Sequence, residues 1–426
     1  MNNIKLRLIV MNFLQFAVWG SYLTSMGTLL ASIGMPDKIG IFYAVQGIVS
    51  LFMPAIIGII ADRWVQAQRL LGLCHLLAAL FMGATAWVVS TDGAQSQMLI
   101  LGLYAVSVAF YMPTLALSNS VAYNVLESNK LDPVTAFPPI RVWGTVGFIC
   151  AMLFCDFAGF QQSSMQFYQS AVLGIALGIY AMTLPACPVN TSTEKKSLVE
   201  SLGLRAFTLF KERKMAMFFI FSMLLGVSLQ ITNGFANPFI TSFGAIEEYS
   251  STFAANHANA LISISQVSET LCILLIPFFL KRFGIKTVML IAMFAWVLRF
   301  GLFGVGNPGG GVWMFILSMI VYGVAFDFFN ISGSLFVNKE TDTSIRSSAQ
   351  GLFMIMTNGI GATIGTLGAQ AVVNHFVYSQ SSPMAQIEGW STTWLIFAGY
   401  ALVVALAFWL LFKYKHQPDQ IGEVKH

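Results

Sequence analysis

Residues 186–214, ACPVNTSTEKKSLVESLGLRAFTLFKERK, form the longest segment of this 426-residue chain that lacks a membrane-length apolar run. The basic residues of this segment are Lys195, Lys196, Arg205, Lys211, Arg213 and Lys214. The sequence on both sides of it is strongly apolar. Over the whole chain 57% of residues are hydrophobic and only 9% are charged, whereas an ordinary soluble domain has about 25% charged residues. The segment therefore separates two apolar halves.

This composition excludes several classes of protein. A soluble domain of this length needs many more charged side chains to cover its surface, and disordered chains and coiled coils are also rich in charge. The net charge of +4 comes from scattered basic residues rather than one basic stripe, so we expect no nucleic-acid partner. The remaining class is a protein surrounded by membrane lipid.

The apolar runs have the length of membrane spans. A bilayer core about 30 Å thick requires about 20 apolar residues in a helix. Twelve runs meet this requirement, at 8–30, 39–61, 70–90, 97–121, 139–158, 166–185, 215–241, 258–280, 287–305, 312–336, 347–374 and 390–412. We predict an all-α polytopic membrane protein with twelve transmembrane helices. Its domains are a six-helix bundle at 1–185, a cytoplasmic linker at 186–214, and a second six-helix bundle with a short cytoplasmic tail at 215–426.

The basic residues predict the orientation. With both termini in the cytoplasm, all but three of the 22 Lys and Arg residues fall in cytoplasmic segments. The three exceptions are Lys38, in an outer loop, and Arg141 and Arg299, within predicted helices. This distribution follows the positive-inside rule. We therefore expect a multi-pass protein with both termini cytoplasmic.

A short motif lies between the second and third predicted helices. Gly58-Ile-Ile-Ala-Asp62-Arg63, followed by Arg69, resembles the G-x-x-x-D-R loop of the major facilitator superfamily. A charged turn at the membrane surface is the plainer interpretation of the same residues. Together with the layout of six helices, a basic linker and six helices, the motif favours the facilitator fold. The resemblance implies that Asp62 and Arg63 take part in gating on the cytoplasmic side.

Ionisable residues at membrane depth are costly, by about 2.5–3.5 kcal/mol each on insertion scales, and they usually mark functional sites. Arg141, Thr145 and Phe148 are spaced to share one face of the fifth helix. They could line a cavity, or Arg141 could extend to the cytoplasmic surface. Arg299, in the ninth helix, is expected to reach the outer interface.

Three further helices carry polar residues within apolar runs. Gln230 and Asn233 lie on the seventh helix, Gln266 and Glu269 on the eighth, and Tyr322, Phe326 and Asp327 on the tenth. Interhelical hydrogen bonds or ion pairs would explain them structurally. A mid-membrane acid such as Asp327 or Glu269 also suits a group that binds and releases a proton.

Other chemistry finds no support in the sequence. The five cysteines and five histidines lack zinc-type spacing, so we expect no metal site and no cofactor, and we expect the cysteines to be small buried residues. Phosphate-binding and nucleophile motifs are lacking as well, which disfavours ATP-driven transport and an enzyme. Trp390 and Trp394 lie near the start of a predicted span and are expected in an interfacial aromatic belt.

Longer motifs resemble one family. FLQF (13–16), YMPT (111–114), FPPIRVWGTVGF (137–148), FSMLLG (221–226), LQITN (229–233), SISQVSE (263–269), YGVAFDFFNISGS (322–334) and IRSSAQG (345–351) are similar to segments of the bacterial nucleoside:proton symporters of the major facilitator superfamily. The similarity extends from the first helix to the last. It implies proton-driven nucleoside import across the inner membrane by alternating access.

The resemblance also assigns residues. It implies that nucleosides contact Arg141, Thr145, Phe148, Gln230, Asn233, Gln266, Glu269, Tyr322, Phe326 and Asp327. Asp327 or Glu269 would carry the proton. The expected partners are a nucleoside, a proton and membrane lipid, with the protein acting as a monomer. A facilitator for another small polar solute, such as a sugar or a free nucleobase, is the alternative.

Overall fold

The computed structural model describes residues 2–187, 204–342 and 345–415. Within these ranges the chain is helical and contains no β-strand. It divides into two compact units, Met1–Ser201 and Leu202–His426. Most of the linker predicted at 186–214 lies outside the described residues, so the bounds of the three predicted domains remain predictions.

The first unit contains eight α-helices, and two of the predicted spans are each divided between two of them. In chain order they are α1 (Asn2–Gly20), α2 (Met26–Ser32), α3 (Ile39–Ser50), α4 (Met53–Arg63), α5 (Ala67–Thr91), α6 (Gln97–Ser128), α7 (Pro133–Phe157) and α8 (Met165–Met182). Short 3₁₀ turns lie at Pro36–Lys38 and Gly93–Ser96. The first span bends at residues 21–25, between α1 and α2. The second is interrupted before α4, where Pro54 stands in the first turn and lacks an N–H to continue α3.

The core of the first unit is formed by apolar faces of several helices. Leu8 and Met11 of α1 are fully buried in a cluster with Leu71, Val121 and Leu177 from α5, α6 and α8. Helix α1 packs most extensively against α7, and α5 packs against both α6 and α8. This packing fixes the positions of α1 and α7, which carry Phe16 and Arg141.

The second unit contains the remaining helices. They are α9 (Arg213–Ser242), α10 (Phe253–Asn256), α11 (Ala258–Val305), α12 (Val312–Glu340), α13 (Arg346–Met354), α14 (Ala362–Val373) and α15 (Pro383–Leu411). Turns of 3₁₀ helix occupy Leu204–Lys211 and Phe243–Ala245, and turns of π-helix occupy Ile355–Gly361 and Asn374–Tyr378. The eleventh predicted span thus consists of α13, α14 and the two π turns.

Two predicted spans meet within α11. Gly284 has φ 80° and ψ 168°, a non-helical conformation that breaks the 48-residue helix into two. Only glycine adopts such a backbone without strain. The break falls inside the segment Lys281–Lys286, where the sequence predicts a loop, and the two resulting helices match the predicted eighth and ninth spans.

Nine helices in the described ranges are long and apolar enough to cross a membrane. One of them is α11, which supplies two spans, and the two divided spans of the first unit complete the set. The prediction of an all-α protein with twelve transmembrane helices is confirmed.

Three details differ from the predictions. The fifth span begins at Pro133, so Pro138 and Pro139 lie inside α7 rather than at its start. Trp390 and Trp394 are fully buried, because α15 begins at Pro383 and places both rings in the core. Among the cysteines, predicted to be small buried residues, Cys150 is exposed.

Candidate functional site

The residues predicted to contact substrate lie in two groups, one in each unit. The first group, Arg141, Thr145 and Phe148, is on α7. The second group comprises Gln230 and Asn233 on α9, Gln266 and Glu269 on α11, and Tyr322, Phe326 and Asp327 on α12.

Arg141 packs against α1. Its guanidinium carbon lies 3.9 Å from the centre of the Phe16 ring, a distance typical of a cation–π contact. Arg141 also interacts electrostatically with the buried Tyr111 on α6. These contacts keep the half-buried side chain against the interior of its unit, which disfavours the alternative in which it extends to the cytoplasmic surface.

Phe148 lies two turns further along α7 and is buried. Its ring meets the ring of Trp19 edge to face, with centres 6.3 Å apart and planes at 89°. Trp19 in turn contacts Tyr111, at 6.1 Å between ring centres. The half-buried Thr145 lies on the same helix, one turn from Arg141. The first group thus offers a cation, a hydroxyl and an aromatic ring.

Gln230 and Asn233 form a pair on α9. The side-chain N–H of Asn233 donates to Oε1 of Gln230 over 2.6 Å, and both side chains are half-buried. This bond leaves the amide nitrogen of Gln230 and Oδ1 of Asn233 to serve a ligand. A donor and an acceptor side by side suit the edge of a nucleobase or a pair of sugar hydroxyls.

Tyr322 and Phe326 form an aromatic wall on α12. Their rings are nearly parallel, with planes at 12° and centres 5.6 Å apart. Trp296 on α11 contacts the Tyr322 ring edge to face at 6.0 Å. Phe326 is half-buried, whereas Tyr322 is buried. A half-buried ring with a supported neighbour can stack on a flat heterocycle.

Asp327 is a buried acid beside this wall. Its side chain is 5% exposed, and within the described part of the chain its Oδ2 atom has no hydrogen-bond partner. Asp327 interacts electrostatically with Glu269, which lies on α11. The two helices approach closely here, because a Cβ atom at Gly323 would lie 2.6 Å from the Ser268 carbonyl oxygen. The close contact brings the two acids predicted to couple to protons into one region.

Arg299 does not reach the outer interface, where its position in the sequence predicts it. It is 2% exposed, and its guanidinium carbon lies 4.7 Å from the centre of the Tyr322 ring. The prediction that it reaches the outer interface fails because α11 directs it toward α12. Apolar neighbours in the sequence could not reveal which face of the helix meets another helix.

A second polar cluster was also missed. Nε2 of the fully buried His75 is 2.7 Å from Oε1 of Gln15, whose amide nitrogen donates to Thr114 over 2.7 Å. The Tyr111 hydroxyl donates to the Gln15 carbonyl oxygen. The available signal was the presence of Gln15 and His75 in apolar runs. Both residues cross-link α1, α5 and α6.

Two other predictions concern gating and metals. Asp62 and Arg63 are the last two residues of α4, but the structure does not describe their side chains, so their role in gating stays a prediction. No group of three or more potential metal ligands occurs in the ranges that the structure covers.

Twelve apolar spans, a buried acid and an aromatic wall are typical of a secondary transporter of the major facilitator type. The family model described as "Nucleoside H+ symporter" matches residues 1–417. The chain therefore belongs to the nucleoside H+ symporter family. This confirms the family predicted from the motifs, and with it a proton-coupled nucleoside transporter rather than an enzyme.

Individual relatives agree with this assignment. The chain is 48% identical over 419 residues to the nucleoside permease NupG of Escherichia coli (strain K12), covering 97% of each chain. It is 47% identical over 422 residues to the xanthosine permease of the same organism, covering 98% of each.

Solved structures give the same fold. A crystal structure of the nucleoside transporter NupG has a TM-score of 0.88 at 46% identity, with 97% of this chain and 100% of that chain covered. A crystal structure of the peptide transporter POT has a TM-score of 0.69 at 13% identity, with 96% and 93% covered, which shows the shared fold alone.

Proposed function

We propose that this protein imports nucleosides together with protons across the bacterial inner membrane by alternating access, using the ten residues of the two groups. The observation that carries the proposal is the neighbourhood of Phe326 and Asp327. There a half-buried ring, supported by Tyr322, lies beside a buried acid whose Oδ2 has no partner in the described part of the chain. One element thus offers a surface for a base and a group for a proton.

Substrate recognition is divided among the other residues. Phe326 or Phe148 stacks on the base, and the amides of Gln230, Asn233 and Gln266 bond to base edges or ribose hydroxyls. Thr145 and Tyr322 add hydroxyl groups. The bonded pair of Gln230 and Asn233 supports this role, because it presents one donor and one acceptor in fixed orientation.

Proton coupling is assigned to Asp327 and Glu269. Two acids that interact in an apolar environment do not readily ionise together, so one of them holds a proton. Substrate binding and release then change which of them is protonated. Arg141 supplies positive charge that modulates this exchange.

The remaining features are proposed from the sequence. The distribution of Lys and Arg supports cytoplasmic termini. Asp62 and Arg63 serve as a gate at the cytoplasmic side. The domains are those at 1–185, 186–214 and 215–426, and the protein works as a lipid-embedded monomer that binds no nucleic acid.

Uptake of radiolabelled uridine and adenosine tests the function. The protein is expressed in cells that lack nucleoside carriers, with and without a protonophore. Accumulation that collapses with the protonophore is expected. Uptake that only equilibrates and ignores the protonophore would make the protein a uniporter. If the protein takes up a sugar or a free base, unlabelled nucleosides are added as competitors. A lack of competition would favour the alternative substrate class.

A further inference from the structure

Arg299 is a buried cation that the proposed transport cycle does not use. Its Nη1 atom donates to the Ser318 carbonyl oxygen over 2.6 Å, and the Ser318 hydroxyl donates to the Arg299 carbonyl oxygen over 3.0 Å. These two bonds join α11 to α12. Within the described ranges the guanidinium has no ion pair with a carboxylate, and its Nε has no partner.

The charge of Arg299 is instead directed at aromatic rings. The guanidinium carbon is 4.7 Å from the centre of the Tyr322 ring and 5.2 Å from that of Phe303. Cation–π attraction is strongest where water is excluded, as it is around this side chain. An unpaired buried charge is expensive to retain, so a purely structural position would be better filled by an apolar residue.

Tyr322 is a neighbour of both this cation and the two acids. It interacts electrostatically with Arg299 as well as with Glu269 and Asp327. Its ring also stacks on Phe326. Tyr322 therefore connects the buried cation to the proposed substrate surface.

We propose that Arg299 is a positioning residue for substrate binding, which holds the Tyr322 ring in place so that Tyr322 and Phe326 form one rigid wall for the nucleoside. Preorganised contacts raise affinity because the side chains lose little freedom when the ligand binds. The inference rests on the proposed function. It predicts that Arg299 affects substrate affinity through its contact with Tyr322. Its contact with Phe303 should have no effect on substrate affinity.

The test is a double-mutant cycle measured by nucleoside uptake. KM and maximal rate for uridine are determined for wild type, Arg299→Gln, Tyr322→Leu and the double variant, with membrane insertion and Tm measured for each. Arg299→Gln is expected to raise KM about thirtyfold, the size of one desolvated cation–π contact, while the maximal rate per inserted molecule changes little. In the Tyr322→Leu background the same substitution should leave KM unchanged.

Phe303→Leu is the matched control. It removes the other ring that the guanidinium contacts, so it should lower Tm without raising KM. Arg299→Lys provides a second test if Arg299→Gln does not insert, because Lys keeps the buried cation and loses the planar guanidinium. It should raise KM above the wild-type value, and again only when Tyr322 is present.

Two results would overturn the proposal. One is an inserted Arg299→Gln or Arg299→Lys variant with the KM of wild type. The other is a KM rise that is equally large in the Tyr322→Leu background. Wild-type protein that takes up no nucleoside would instead overturn the proposed function, and the two failures are thus distinguished.

Discussion

Gly147 of α7 and Phe13 of α1 hold their helices in backbone contact. A Cβ atom at position 147 would lie 2.1 Å from the carbonyl oxygen of Phe13. Phe16, one turn after Phe13 on α1, contacts Arg141. Trp19, one turn further, contacts Phe148. The closeness of α1 and α7 therefore sets the positions of two proposed substrate contacts.

Gly147→Ala is expected to lower stability, because the added methyl group has no space and the helices must separate. Overpacking of this kind costs about 1–3 kcal/mol. Tm in detergent measures the effect. Gly102→Ala is the control, since a Cβ at Gly102 meets no atom within 4 Å and alanine favours the helix. Equal Tm values for the two variants would show that Gly147 does not lie in close contact with the Phe13 backbone.

Asp327→Asn is expected to abolish accumulation of uridine against its gradient, because the amide cannot carry the proton. Exchange of internal for external uridine should persist, since Asn has the shape of Asp. The measurement is the ratio of internal to external uridine at steady state. Asp156→Asn is the control, because Asp156 is a buried acid whose Oδ1 accepts a hydrogen bond from Gln161, a role that an amide oxygen can keep. Full accumulation by Asp327→Asn would remove Asp327 as an essential proton carrier.

Phe326→Leu is expected to weaken substrate binding, because leucine cannot stack on a base. Stacking of a base on an aromatic side chain contributes about 1–3 kcal/mol, so KM should rise from about fivefold to more than a hundredfold. Phe326→Trp keeps an aromatic face and should bind nearly as well. Uptake kinetics for adenosine and uridine distinguish these outcomes. If Leu and Trp raise KM equally, the ring does not stack on the substrate.

Tyr414, which follows α15, is expected to make the folded protein less stable as the pH becomes alkaline. Its ring contacts Phe336 at 5.3 Å, and Lys214 lies 5.3 Å from its centre and forms an ion pair with Glu340. Burial raises the pKa of Tyr414, and the neighbouring Glu340 raises it further. Because the folded state favours the neutral phenol, this contribution is fully present below the ordinary tyrosine pKa of about 10 and is lost as pH rises through the higher folded value.

The measurement is Tm in detergent across the alkaline range for wild type and Tyr414→Phe. Wild type should lose Tm more steeply above about pH 10, the ordinary tyrosine pKa, whereas phenylalanine keeps the ring contacts and cannot ionise. Both proteins share every other titrating group, so the difference between their curves isolates Tyr414. Parallel curves would show that the phenol contributes nothing to the pH dependence.

Much of the candidate site could be anticipated from the sequence. An acid in an apolar run requires a functional or structural reason, so the sequence indicates Asp327 and Glu269, and both lie where α11 and α12 meet. The same reasoning indicates Arg299, but the sequence predicts that it reaches the interface. Its neighbours along the helix are apolar on every side, so the local pattern did not indicate the direction of its side chain.

The membrane class, the twelve spans and the expected orientation follow from the sequence by itself. Bilayer thickness and the cost of burying charge act on each segment separately, and a local pattern is sufficient to read them. Only the tertiary structure decided which side chains meet. The contact of the Arg299 guanidinium with the Tyr322 ring, the burial of Trp390 and Trp394, and the contact of Gly147 with Phe13 each depend on how different helices pack together. Such contacts depend on which face each helix turns toward its neighbours. A face in contact with lipid and a face in contact with another helix are both apolar, so the sequence does not distinguish them.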